Sequence, residues 1–170
     1  MAIREILKVG HPMLSKRAEP VGAIDDQIRA LALDMVETLH AAPGIGLAAP
    51  QVNAGRRVIV VDLSVGERPE ELIILVNPEI VSEEGEVVCE EGCLSVPDIQ
   101  EKVKRPARVK VKGSDLEARE QVIEAEDLLA RAFCHEIDHL DGKLFIDKLS
   151  PLKRSLVKKK LRKAAATEKT

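Results

Sequence analysis

Residues 134–142 read CHEIDHLDG and hold two histidines four apart, with a glutamate directly after the first. On an α-helix, positions four apart lie about 40° apart around the axis and one turn along, so His135 and His139 project together and can share one cation. Glu136 points about 100° away from His135. It is badly placed to ligate from the same face and well placed to reach a water beside the metal. A hydrolytic site needs a third protein ligand and an open coordination position. Downstream the candidates are Asp141 and Asp147; upstream there is Cys93, in EEGCLSVP, where Gly92 permits a tight backbone. Taken alone, Cys93 reads equally well as a small buried hydrophobe. Three readings therefore stand side by side: a metal that breaks bonds, a metal that braces the fold, and two histidines on a solvated helix.

The elements that must position these residues follow from periodicity. Residues 127–140 read as a helix with Leu129, Phe133, Ile137 and Leu140 on one face. An earlier helix starts after an N-cap at Asp25 or Asp26, carries Ile28, Leu31, Ala32, Met35 and Leu39, and ends before Pro43-Gly44. Residues 1–24 form an irregular arm with one helical turn near 13–17. Strands are expected at 56–63 and at 71–81, the second broken at Asn77-Pro78, and residues 85–97 read as strand, turn, strand. ARVKVKG (107–113) alternates as a half-buried antiparallel strand, with 119–126 as its hairpin partner. A last helix runs from about Pro151 to Ala166, with Leu152, Leu156 and Leu161 as candidates to pack it onto the body. The fold class is α+β: antiparallel strands packed around a central helix that carries the HExxH motif, with a C-terminal helix.

The chain has 170 residues, which fits one domain spanning 1–170. Phe133 and Phe145 are its only aromatics, so the core is aliphatic and an RNA surface built on aromatic stacking is not expected. Three cysteines, Cys89, Cys93 and Cys134, are an odd number without secreted-scaffold spacing and point to a reducing cytoplasm. No signal peptide and no apolar run near the ~18 residues of a membrane helix are visible, so a membrane is not an expected partner, and DNA is not expected as one either. The net charge of -3 hides an asymmetry: from Lys153 to Thr170 there are eight Lys/Arg against one acid, Glu168.

Three segments resemble peptide deformylase: GIGLAAPQ (44–51), EGCLSVP (91–97) and HEIDHLDG (135–142), in the family's order and at compatible separations. The wider resemblance runs from about Ile3 to Leu152. It implies Cys93, His135 and His139 as metal ligands and Glu136 as the acid/base. The implied reaction is removal of the formyl group from the N-terminal methionine of nascent polypeptides, with formate released. A divalent cation there lowers the pKa of water and polarises the formyl oxygen. The resemblance also implies that the Gln51 side-chain amide and the Leu94 backbone N–H stabilise the oxyanion. It places Gly44, Ile45 and Gly46 along the substrate backbone, where the glycines admit a close approach and the peptide adds as a strand. It puts Ile45, Leu128, Ala132 and His135 around the methionine side chain, with Cys89 and Arg131 near the rim. One Fe(II) ion is the implied native cofactor, with zinc, nickel or cobalt able to replace it in purified material. A C-terminal extension in the family docks on the ribosome, so the basic helix is a candidate for ribosomal contact.

The chain departs from the family at Cys134, where Gln is common, and at Asp98, where Gly is frequent; Cys134 is read as a packing residue. His11 and His40 lack partner spacing and are read as non-ligands. The runner-up readings are a metallopeptidase of the HExxH type and a binding module whose metal is closed by Cys134 or Asp141.

Overall fold

A computed structural model describes residues 2–168, with side chains as far as residue 164. Helix α1 (Asp26–Ala41) starts where its cap requires: Asp25 accepts a hydrogen bond from the Ile28 N–H at 3.0 Å. Its buried face is Ile28, Leu31, Ala32, Met35 and Leu39, and it stops at Ala42, before Pro43. Helix α2 (Asp127–Leu140) covers the expected residues. Asp127 takes a left-handed φ of 53°, which an aspartate tolerates, and turns the chain from strand into helix with no loop between them.

The strands are β1 (Gly46–Ala48), β2 (Val58–Val61), β3 (Ile73–Glu84), β4 (Val87–Cys93), β5 (Val96–Arg105), β6 (Arg108–Ser114) and β7 (Glu120–Glu126). A five-stranded antiparallel sheet runs β1-β2-β3-β6-β7, and β4-β5 is a separate hairpin. β2 lies between the two helices. Val58 and Val60 pack with α1, while Ile59 and Val61 pack with α2. Burial on both faces is why RRVIVVDL is apolar without alternation.

The expected break at Asn77-Pro78 is a bulge within a continuous β3. The register slips between Val76 and Glu79. Asn77 sits at φ 54°, and its side chain both accepts from and donates to the Val21 backbone at 2.8 Å. The slip takes Pro78, which has no N–H, out of the ladder. The return strand of the hairpin is longer than 85–97 suggested. The tip falls at Leu94-Ser95, and β5 continues to Arg105. Asp98 at φ 63° interrupts its alternation, and one of its buried positions is an arginine, so no apolar pattern marks it.

Helix α3 (Pro151–Glu168) packs through Val157 and Leu161 onto Val96, Ile99, Val103, Phe145 and Leu149. Leu152 and Leu156, candidates for that contact with Leu161, are instead 72% and 58% exposed. They lie about 140° and 100° round the helix from Val157, on a face that β5 does not meet. Lys169, counted in the basic tail, lies outside the described residues.

Candidate metal centre

One side of α2 is core and the next is chemistry. Ala130, Phe133, Cys134, Ile137 and Leu140 pack among Ile59, Val61, Leu75 and Val111 of the sheet. Burial pushes the Cys134 thiol up to about 11, so this residue packs and stays protonated at neutral pH. His135 and His139 turn towards the tip of the β4-β5 hairpin. His139 Nε2 lies 3.2 Å from His135 Nε2 and 3.3 Å from Cys93 Sγ. The three ligand atoms all lie within 4.8 Å of one another. Tetrahedral ligands about 2.0–2.3 Å from a cation stand roughly 3.3–3.6 Å apart, so the spacing fits a small divalent ion. Among the described residues no fourth acidic, histidine or cysteine side chain joins them. Asp141 pairs with Arg57 at 3.0 Å, Asp147 accepts from the Leu144 N–H at 2.9 Å, and Cys134 is in the core. The closed four-ligand site therefore does not form from these candidates.

His135 is oriented from behind. Its Nδ1 lies 2.8 Å from Glu91 Oε1, which leaves Nε2 facing the cluster. Phe145 stacks on its ring with centroids 6.1 Å apart. Glu91 is gripped by Arg105 through two contacts of 2.8 Å, and Arg105 also meets Asp138 at 2.6 Å. Arg105 is 2% exposed. Burial alone would raise the Glu91 carboxyl. The Arg105 and His135 hydrogen bonds outweigh it and hold the carboxyl down at about 2. Burial likewise works against a proton on His135. The Glu136 charge, helped by Cys93 and Glu91, overcomes it and raises this imidazole. His139 is pushed the other way, by burial and then by the His135 charge.

Glu136 is 4% exposed, and its Oε1 has no hydrogen-bond partner. Burial raises its pKa to about 7, against the pull of His135. A Cβ on Gly46 would stand 2.5 Å from Glu136 Oε2. Gly46 is thus glycine because the carboxylate needs its space. Gly44 has a similar internal reason, since a Cβ there would meet Leu94 Cδ1 at 2.9 Å. Gln51, 1% exposed on the 3-10 turn Ala49–Val52, accepts from the Ala48 N–H at 3.0 Å. It donates through Nε2 to Ser95 Oγ at 3.0 Å and lies 3.7 Å from Cys93 Sγ. Leu94 forms the hairpin tip, where its carbonyl accepts from Lys8 Nζ at 3.0 Å.

An open cleft of about 800 Å³ runs past these groups. Gly44, Ile45, Gly46, Leu128, Arg131 and Ala132 line it together with Cys93, His135 and Glu136. Cys89 does not line it; it sits lower on β4, half-buried and paired with Val103. Asp98 does line it, at the left-handed φ that suits glycine. His11 caps the turn Pro12–Ser15, and His40 pairs with Asp62 at 2.8 Å, so each has a structural partner away from the cluster.

Sequence reasoning missed Glu91, Ser95, Arg105 and Asp138. Three of them lie inside quoted motifs. Glu91 is two residues before Cys93, hence on the same strand face, and Asp138 is one helical turn from His135. Arg105 had no local signal.

A family model described as polypeptide deformylase matches residues 3–155. The chain belongs to the polypeptide deformylase family. A peptide deformylase of Acidobacterium capsulatum is 51% identical over 163 residues, covering 96% of each chain. That of Thermodesulfovibrio yellowstonii is 53% identical over 162 residues, covering 95% of this chain and 98% of the relative. The crystal structure of a peptide deformylase from Legionella pneumophila superposes with a TM-score of 0.92 at 45% identity, covering 98% of both chains. That from Synechococcus elongatus, solved in complex with actinonin, gives 0.87 at 38% identity, covering 92% of this chain and 86% of the other. The deformylase family is metal-dependent, and the Cys93, His135 and His139 cluster supplies donors for an ion here.

Two expectations follow. Gly46→Ala should displace the Glu136 carboxylate and lower kcat/KM on a formyl-methionyl peptide by about 100-fold, with an unchanged circular dichroism spectrum. The Glu91 carboxyl is depressed from 4.5 to about 2 in the fold, so its stabilisation is complete above about pH 4.5 and disappears as the pH falls towards 2. It amounts to on the order of 3 kcal/mol at neutral pH. Urea midpoints of chelated protein between about pH 6 and about pH 2 should show this slope, and Glu91→Gln should flatten it.

Proposed function

We propose that this chain, acting as one catalytic domain, removes the N-formyl group from the N-terminal methionine of newly made polypeptides, releasing formate and a free amine. The observation that carries the reading is the convergence of Cys93, His135 and His139 beside a buried carboxylate oxygen with no partner, Glu136 Oε1. Relatives about half identical over nearly the whole chain are peptide deformylases, which favours this reaction over general peptide hydrolysis.

Cys93, His135 and His139 would hold a divalent cation, which would supply Lewis acidity towards water and the formyl oxygen. Glu136 takes the proton from the attacking water and hands it to the departing amine nitrogen. A carboxyl shifted towards 7 by burial is suited to both roles. The Gln51 Nε2 donates to the oxyanion from beside Cys93, held there by Ser95 and the Ala48 N–H. The Leu94 N–H is the second donor. β1 is the terminal strand of its sheet, so its outer edge is open to an extended peptide backbone. Such main-chain pairing accepts many sequences. Ile45, Leu128, Ala132 and His135 surround the methionine side chain, with Arg131 at the rim.

Fe(II) is the native ion in this reading, and zinc, nickel or cobalt accept the same sulfur and imidazole donors. The cations of α3 meet ribosomal RNA phosphate, a contact that weakens with salt. The enzyme then works in the cytoplasm, on chains as they leave the ribosome. Among the described residues no helix is long and apolar enough to cross a membrane.

Formate release from formyl-Met-Ala-Ser, assayed anaerobically with Fe(II), tests the reaction. Glu136→Ala should keep its metal and lose about 100-fold to 10,000-fold in kcat. Equal activity in the two proteins would reject the role of Glu136. Comparable cleavage of unformylated peptides would point to a peptidase instead.

A further inference from the structure

The C-terminal helix does more than present charge to solvent. Val157 and Leu161 seat it on Ile99 and Val96 of β5, and Val96, Asp98, Ile99 and Gln100 of that strand line the substrate cleft. Lys160 stands three residues after Val157 and one before Leu161, so it flanks the anchored face. Lys160 joins the lining of the cleft. Four charged side chains of the lining, Glu90, Asp98, Arg131 and Lys160, have no ion-pair or side-chain hydrogen-bond partner among the described residues. Glu91, by contrast, is committed to Arg105 and His135. The four free charges are thus available to a peptide in the cleft, and the C-terminal helix contributes one of them.

We propose that Lys160 is a specificity-determining residue that favours a carboxylate on the substrate downstream of the methionine. The proposal deepens the deformylase reading and rests on it. An ammonium group on a flexible stem can follow a carboxylate at more than one position beyond the first residue. It selects by charge, without a shaped pocket. The contact is solvent-exposed, so its effect is modest: about twofold to fivefold in kcat/KM at low ionic strength. It acts through KM, since Lys160 touches no reacting atom, and salt screens it.

The test compares kcat/KM for formyl-Met-Ala-Glu-amide, formyl-Met-Ala-Gln-amide and formyl-Met-Ala-Lys-amide, with formyl-Met-Ala-Gln carrying a free C-terminus as a fourth substrate. The amides isolate a side-chain carboxylate; the fourth peptide reports a terminal one. Wild type should prefer the Glu amide over the Gln amide about twofold to fivefold. Lys160→Gln should bring the ratio to one, and Lys160→Glu should take it below one. Lys159→Glu makes the same charge change next to the cleft lining rather than in it, and should move the ratio less. Equal ratios in wild type and Lys160→Glu, an equal shift in Lys159→Glu, or a wild-type preference for the Lys amide would overturn the assignment. The last outcome would hand the selection to Glu90 and Asp98. Preference for the free terminus alone would restrict Lys160 to terminal carboxylates and overturn its role on longer chains. If wild type releases no formate from any of the four, the deformylase reading itself fails.

Discussion

A guanidinium buried between a hairpin and a helix holds this site together. The β4-β5 hairpin belongs to no larger sheet, so no backbone ladder fixes where its tip lies relative to α2. Arg105 does this through side chains, bonding Glu91 of the hairpin and Asp138 of the helix. The apolar cluster of Val96, Ile99, Val103, Phe145 and Leu149 closes the joint from below. Cys93 therefore comes within 3.3 Å of His139 although the two are distant in sequence. Burying a guanidinium is costly unless it is paired, and Arg105 is paired with both carboxylates. The arrangement also continues into the chemistry, because the carboxylate that Arg105 holds is the one that orients His135.

The same burial that costs stability prepares Glu136 for the acid/base role proposed for it. Glu136 is kept out of water with one oxygen unpartnered and its pKa raised. An isolated core would expel such a group. It persists because α2 is anchored on its other side by Phe133, Ile137 and Leu140, and because Gly46 leaves room for the carboxylate. Edge strand, helix and hairpin thus meet at one point, and each lacks something there: a side chain, a hydrogen bond, a paired sheet edge. The cleft is where these absences coincide.

Much of this was legible in the residues. The alternation of 107–113 and its partner 119–126 specified a hairpin, and the helical spacing from Leu129 to Leu140 specified the helix that follows. Asp25 announced the start of α1. Three things were not legible, each for a physical reason. Periodicity tells which residues of α3 share a face but not which face meets the body, so Val157 took the place given to Leu152 and Leu156. An arginine inside a strand looks like surface until its two carboxylates, 14 and 33 residues away, fold onto it. Glycines in GIGLAAPQ suggested room for a substrate backbone, whereas the neighbour that needs the space at Gly46 is an internal carboxylate. Cys93 was the reverse case. Local chemistry left it undecided, the joint presence of three motifs implied a ligand, and the fold brings its sulfur within 4.8 Å of both imidazoles.

The central claim is that one sulfur and two imidazoles close on a single cation and leave a position open. X-ray absorption at the metal edge of the Fe(II)-loaded protein tests it most directly. The expected shell has one sulfur at about 2.3 Å and two imidazole nitrogens at about 2.0–2.1 Å, completed by oxygen from solvent. The sulfur should vanish in Cys93→Ala. A shell without sulfur, or one filled by a fourth protein side chain, would contradict the claim.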